Sequence, residues 1–289
     1  MNRMSKNLLF GVCLLVSTFG VARAGTATSV NGLYYTGTNN SGGLLSGGSQ
    51  DSHWSVTYAT ANGVTDNSTY QGNAYVVSSN YIDGGWAPNT TTARWIVPPG
   101  ARTAATGGTS NTGGDFLPGN GTTGTNTASY VYTLAFTIAG TGTGVATNQI
   151  SITLTLAADD QASIYVNPTL NANGSVNSSS RLGSSITSAW NNTRSITLQN
   201  YDDGTHADNA SFVIGTNYLV IQVDNTNSLI GSSSATALNP SGLLVYQVGT
   251  ATLVSGKPIP EVGAWLPLLG ALGLFCWRRF RLSKLSSIA

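Results

Sequence analysis

Through the middle of the chain apolar residues fall at every second position, the period of a strand with one buried face. Over 130–138 one face takes Tyr130, Tyr132, Leu134, Phe136 and Ile138. Over 149–156 one face takes Ile150, Ile152, Leu154 and Leu156, while Ser and Thr occupy the other. The same alternation predicts strands over 53–58, 73–78, 162–166, 195–198, 217–224 and 242–248. No segment between the two ends carries a helical period. Strands in this number, separated by turns rich in Gly, Asn and Asp, predict an all-β fold, a β-sandwich or jelly roll, because two sheets must bury their apolar faces against each other. The Gly-, Thr- and Asn-rich stretch 98–128 exceeds an ordinary connection and is expected to be a surface loop pinned at Phe116 and Leu117. With no internal repeat, one domain is expected over about 25–256.

The two ends break this pattern. Arg3 and Lys6 precede a mostly apolar run over 8–20, and Ala22 and Ala24 then stand at small-residue positions. This is the layout of a signal peptide over 1–24, cut by signal peptidase, and the run is well short of the ~20 residues of a spanning helix. Near the other end sixteen apolar residues, 262–277, lead into Arg278, Arg279, Arg281 and Lys284. At ~1.5 Å per residue they extend about 24 Å, enough to span a modestly thinned bilayer, with Trp265 and Trp277 placed for its interfaces. The basic end is expected to stay cytoplasmic and everything before it to lie outside.

The segment 257–289 combines Pro260-Glu261, the short Gly- and Leu-rich apolar stretch and the terminal arginine cluster. It resembles the PEP-CTERM sorting signals of Gram-negative bacteria, departing from their commonest form in Val262, where a second proline is often found. The resemblance implies recognition near Pro260 and Glu261 by a membrane-embedded exosortase that removes the tail. A plain single-pass anchor is the alternative. Within the body, Asp51-Ser52-His53-Trp54, Ala74-Tyr75-Val76-Val77, Trp86-Ala87-Pro88-Asn89, Arg94-Trp95-Ile96, Ala158-Asp159-Asp160, Tyr165-Val166-Asn167 and Asn239-Pro240-Ser241-Gly242-Leu243 follow in that order. Together they resemble the galactose-binding-like β-sandwich ectodomains that often accompany such tails. That resemblance implies a jelly-roll fold in a family mostly without assigned activity.

Composition agrees with an exported chain. Charged residues make up 8% of it, against about 25% in an ordinary soluble domain, while 40% hydrophobic residues argue against disorder. Between Gly25 and Lys257 there are ten Asp, no Glu, four Arg and one Lys, a net charge of −5 that makes nucleic acid an unsuitable partner. Cys13 and Cys276 both lie in the terminal segments, so the exported domain holds no disulfide and stands on its hydrophobic core.

Catalytic groups are sparse in this body. It has no Cys and no Glu, and a Ser-His-Asp arrangement must use His53 or His206, with no Gly-x-Ser-x-Gly elbow near either. His53 also reads simply as a hydrogen-bonded residue beside a core Trp54. A glycan hydrolase needs two carboxylates flanking the scissile bond, and nothing pairs Asp159 and Asp160, or other aspartates, across a cleft. No cofactor is expected. A structural calcium ion would take Asp159 and Asp160, or Asp202, Asp203 and Asp208, as hard oxygen ligands in turn-like settings.

Carbohydrate binding has a more definite set of residues. Sugars stack an apolar face on aromatic rings and offer hydroxyls to a few polar groups. Trp54, Tyr81, Trp86, Trp95 and Trp190 supply rings, with His53, Asn89 and Arg94 nearby in sequence. Tryptophan equally fills sandwich cores. Trp86-Ala87-Pro88-Asn89 lies in a loop context and is the favoured contact, with His53, Trp54 and Arg94. The sequence reading is therefore a non-enzymatic protein of the cell surface or extracellular matrix, associated with exopolysaccharide and membrane-anchored until processed. A carbohydrate-binding module is the alternative, and a glycan-acting hydrolase stands third.

Overall fold

A computed structural model of the chain describes residues 26–61, 64–65, 70–77, 86–99, 126–142, 144–145, 149–177, 182–187, 190–199, 212–227, 241–248 and 252–254. Its named elements are all strands: β1 (Thr26–Asn31), β2 (Gln50–Ala61), β3 (Val64–Thr65), β4 (Gly72–Val76), β5 (Ile96–Val97), β6 (Asn126–Thr141), β7 (Gly144–Val145), β8 (Gln149–Asp159), β9 (Gln161–Val166), β10 (Leu182–Thr187), β11 (Arg194–Gln199), β12 (Val213–Asn227), β13 (Gly242–Val248) and β14 (Thr252–Val254). They pair antiparallel in the order β10-β9-β12-β6-β2-β4-β5-β13-β8-β11. Strand β1 joins β6, β14 joins β8, β3 joins β2 and β7 joins β12.

The alternation read from sequence sets which face is inside. Tyr130, Tyr132, Leu134, Phe136 and Ile138 of β6 and Ile150, Ile152, Leu154 and Leu156 of β8 are all buried, and they meet Leu219, Ile221 and Val223 of β12 and Leu243 and Val245 of β13 in one core. Strands from both halves of the order share this core, so the sheet curls over on itself and nearly closes into a barrel. The longest ladder, β6 with β12, runs in unbroken register from Gly215 opposite Ile138 to Asn227 opposite Asn126. The chain passes from one half of the sheet to the other at Asp160, between β8 and β9.

One extra residue changes the outer face. Val56 lies opposite Tyr132 but Tyr58 lies opposite Val131, so Thr57 is a bulge in β2. Without it Tyr58 would share the inward face of Trp54 and Val56. With it, Tyr58 turns outward and packs with Val131, Tyr165, Val176 and Val220 beneath the segment 168–177, forming a second, smaller apolar layer.

Most of the loop expected over about 98–128 lies outside the described residues, and only its two ends are seen. Pro98 is buried, and Asn126, Thr127 and Ala128 already pair with β12. Phe116 and Leu117 lie outside the described residues, as do Ala22, Ala24, Pro260, Glu261, Arg278, Arg279 and Arg281 of the expected leader and tail. Among the described residues no helix is long and apolar enough to cross a membrane.

Candidate functional site

Of the residues singled out in the sequence, those of two stretches that the structure describes, around His53 and around Trp86, gather in two corners. In the first, the β2–β4 ladder slips between Gln50 and Ser55, leaving backbone N–H groups without strand partners. Asp51 takes over two of them, one carboxylate oxygen accepting from the His53 N–H at 2.9 Å and the Trp54 N–H at 3.3 Å, and its other oxygen accepts from the Gly37 N–H, outside the ladder, at 2.7 Å. Burial pushes the Asp51 carboxyl above its ordinary range, partly offset by these three N–H bonds and by His53. The His53 ring stacks on Tyr34 at 3.6 Å with 12° between planes. Its Nε2 lies 2.7 Å from Asn40 Oδ1 and its Nδ1 3.5 Å from Asp51. The Asn40 oxygen accepts, so Nε2 carries the hydrogen. The Trp54 indole N–H donates to the Tyr34 carbonyl at 3.2 Å.

Gly37 completes this corner. Its φ is +69°, and a Cβ there would stand 2.7 Å from the Arg94 Cβ. The 36–45 turn is thereby clamped between β2 and Arg94, whose N–H donates to the Thr36 carbonyl. His53 and Arg94 thus border the same turn, and the His53 side chain is 7% exposed. No Ser, Thr or Cys among the described residues hydrogen-bonds the His53 ring. His206 lies outside the described residues.

The second corner holds Trp86 and Trp95, whose rings are 4.2 Å apart. The Trp86 indole N–H donates to the Asp159 carboxylate at 3.0 Å, and that of Trp95 to the Ala87 carbonyl at 2.7 Å. Asn89 Oδ1 accepts from the Trp95 N–H at 2.9 Å. Gly242 lets β13 pass beneath both rings, because a Cβ there would meet Trp86 at 2.7 Å and Trp95 at 3.1 Å. Trp190 is half-buried against the same cluster. Trp54, Trp86 and Trp95 are therefore core rings with no open face for a sugar, and Asn89 holds backbone. Asp159 is a buried corner pin and not an open turn ligand. Among the described residues no group of three or more His, Cys, Asp or Glu is placed to hold a metal ion. Tyr81, Asp202, Asp203 and Asp208 lie outside them.

What the sequence reading missed is a groove of about 200 Å³ on the outer face, lined by Thr57, Thr133, Asn167, Pro168, Leu170, Tyr218 and Val220. Leu170 and Tyr218 are 51% and 48% exposed, whereas Leu219, Val220, Ile221 and Val223, which follow Tyr218 in β12, are buried. The groove is held firmly. Asn167 and Tyr218 exchange two bonds, Asn167 N–H to the Tyr218 carbonyl at 2.9 Å and Tyr218 N–H to Asn167 Oδ1 at 2.8 Å. The Asn167 amide donates to buried Asn217 at 2.8 Å, which in turn closes the start of β12 through the Val213 and Gly215 carbonyls. On the opposite wall the Thr57 hydroxyl meets the Val131 carbonyl at 3.3 Å and the Thr133 hydroxyl at 3.2 Å. The Leu170 segment folds back through the Leu170–Val176 bridge and a turn at Asn171. A signal was present in the sequence: Leu219, Ile221 and Val223 face inward, so Tyr218 is a large aromatic on the side where polar residues belong.

No protein-family model matches the chain, and no curated protein matches it. Among solved structures it is similar to the enzymatically active domain of tailspike protein 4 of bacteriophage CBA120, at 11% identity and a TM-score of 0.27, covering 76% of this chain and 21% of that one. It is also similar to a GH31 alpha-xylosidase from Xanthomonas citri, at 9% identity and a TM-score of 0.24, covering 69% of this chain and 17% of that one. The chain spans about a fifth of the length of each, and at these scores neither likeness bears on fold or function.

Proposed function

We propose that this is an exported, non-enzymatic protein of the cell surface or extracellular matrix, with a jelly-roll-type sandwich as its body. Signal peptidase removes 1–24, an exosortase-like enzyme acts near Pro260 and Glu261, and the released body is retained with exopolysaccharide. The observation that carries this reading is the combination in one chain of a leader and a three-part tail: the Pro260-Glu261 pair, the apolar run 262–277 and the arginines 278, 279 and 281. The use made of the body's rare titratable groups supports it. Asp51, His53 and Asp159 bind backbone, ring and indole partners that hold corners of the fold, which favours a structural body over a catalytic one.

Intact mass spectrometry of the protein recovered separately from membranes and from matrix tests the reading. A matrix species starting at Gly25 and ending near Pro260 or Glu261 is the expected result. A species retaining everything to Ala289, found in membranes alone, replaces sorting with a simple anchor. Normal matrix amounts in a strain lacking the exosortase remove the sorting step as well.

A further inference from the structure

We propose that the groove between Tyr218 and the 168–177 segment binds a single ring of a neutral hexose polymer, a choice of ligand that rests on the matrix reading above. Three features of the groove select this occupant. The first is size: about 200 Å³ lies below the roughly 300–1,000 Å³ of pockets for larger small molecules. It is also a small fraction of what a protein partner needs, since a stable interface covers about 800 Å² on each side. The patch does not extend to reach that area, because the neighbouring outward positions Thr137, Thr216 and Asn173 are polar and exposed.

The second feature is charge. None of the seven lining residues carries one, so a uronic acid or a phosphate finds no counter-ion, whereas an uncharged ring needs none. The third is the division of surfaces. Tyr218, Leu170, Pro168 and Val220 form an apolar wall that suits the C–H face of a pyranose. Thr133 and Thr57 stand on the other side, where a threonine oxygen that donates to its neighbour keeps lone pairs that accept from a sugar hydroxyl. The Asn167–Asn217 bonds fix the walls in advance, so little ordering is left for the ligand to supply. One ring in such a site binds weakly, and a polymer that presents many rings to many copies of the protein gains by avidity.

Saturation-transfer difference NMR on the full chain, kept soluble in amphipol so that no sugar-bearing detergent competes, tests this. The probes are the methyl glycosides of glucose, galactose and mannose, with methyl glucuronide and cyclohexylmethanol as the charged and the non-sugar ring. The expected result is saturation of the C–H protons of at least one neutral glycoside. That signal falls at least about tenfold in Tyr218→Ser and in Leu170→Ser, with unchanged circular dichroism, and persists in Trp86→Phe. If Tyr218→Ser misfolds, Leu170→Ser on the surface segment decides alone. The proposal is overturned if no neutral glycoside binds, if binding survives both groove variants, or if methyl glucuronide or cyclohexylmethanol binds as well as the best sugar. Its failure and that of the matrix reading remain separable. A protein that binds sugar through Tyr218 yet never reaches the matrix removes the matrix reading alone, and one found in the matrix without binding removes the groove.

Discussion

The Asp51 corner and the Tyr218 groove both border β2, and they use opposite materials. The corner is built from a carboxylate, an imidazole, a phenol and an indole, and these are turned inward, stacked or hydrogen-bonded. The groove is built from Thr, Pro, Leu, Val and one Tyr, and it is open. In a body with so few charges, reactive side chains hold the fold together: Asp51 accepts from three backbone N–H groups, while His53 stacks on Tyr34 and bonds Asn40. Surface exposed for contact is made instead from ordinary residues. Chemical rarity and functional availability are therefore separate properties in this molecule.

Substitutions at the two places sharpen that contrast. The largest effect is expected from Asp51→Ala, which strands three N–H groups at a buried site and costs about 3 kcal/mol or more. A urea midpoint close to that of the wild type would dismiss Asp51 as a clamp. Gly37→Ala follows, at about 1–3 kcal/mol, because it combines a left-handed backbone with the Arg94 contact. Relief of that loss by a second change, Arg94→Gly, would identify the contact, and not the backbone, as the cause.

A third expectation concerns pH. The folded chain holds the Asp51 proton more tightly than the unfolded chain, whose carboxylates titrate near about 3.9. The contribution of this group is complete below that value and is lost as pH rises through the higher folded value. Asp51→Asn removes that decline, so the difference in urea midpoint between the two proteins should change as pH rises above the unfolded value. A constant difference would show that the carboxyl titrates alike in both states. The smallest effect belongs to the groove: Tyr218→Ser should alter stability by less than about 0.5 kcal/mol, since its ring is half exposed. A loss of 2 kcal/mol or more would make Tyr218 a structural residue and erase the contrast.

Sequence pattern carried the all-β fold and much of its core. The inward faces predicted for 130–138 and 149–156 are buried as expected because long strands repeat their period often enough to be read. Strand β5, Ile96–Val97, is too short to show any period, and β10 is largely Ser, Thr and Gly, so neither announces itself. The outward turn of Tyr58 depends on one bulged residue, which is set by the partner strand and invisible along the chain. The tryptophans drew attention as sugar platforms, yet whether a ring lies open depends on what crosses it. For Trp86 and Trp95 that is Gly242, 156 and 147 residues away in sequence. The groove escaped notice because its walls come from four separated segments, and Leu170 signals nothing until the 168–177 segment folds back over the sheet.

The bonds between Thr36 and Val245 have a bearing on how the molecule is made. Thr36 N–H donates to the Val245 carbonyl and Val245 N–H to the Thr36 hydroxyl, each at 3.0 Å, joining residues 209 apart. Val245 belongs to β13, which lies in the sheet between β5 and β8. During synthesis the neighbours on both sides are complete well before this strand leaves the ribosome, and until then they present open edges able to pair wrongly. Such a topology folds slowly for its size, and a chain truncated before Gly242 lacks the strand that joins the facing edges of β5 and β8.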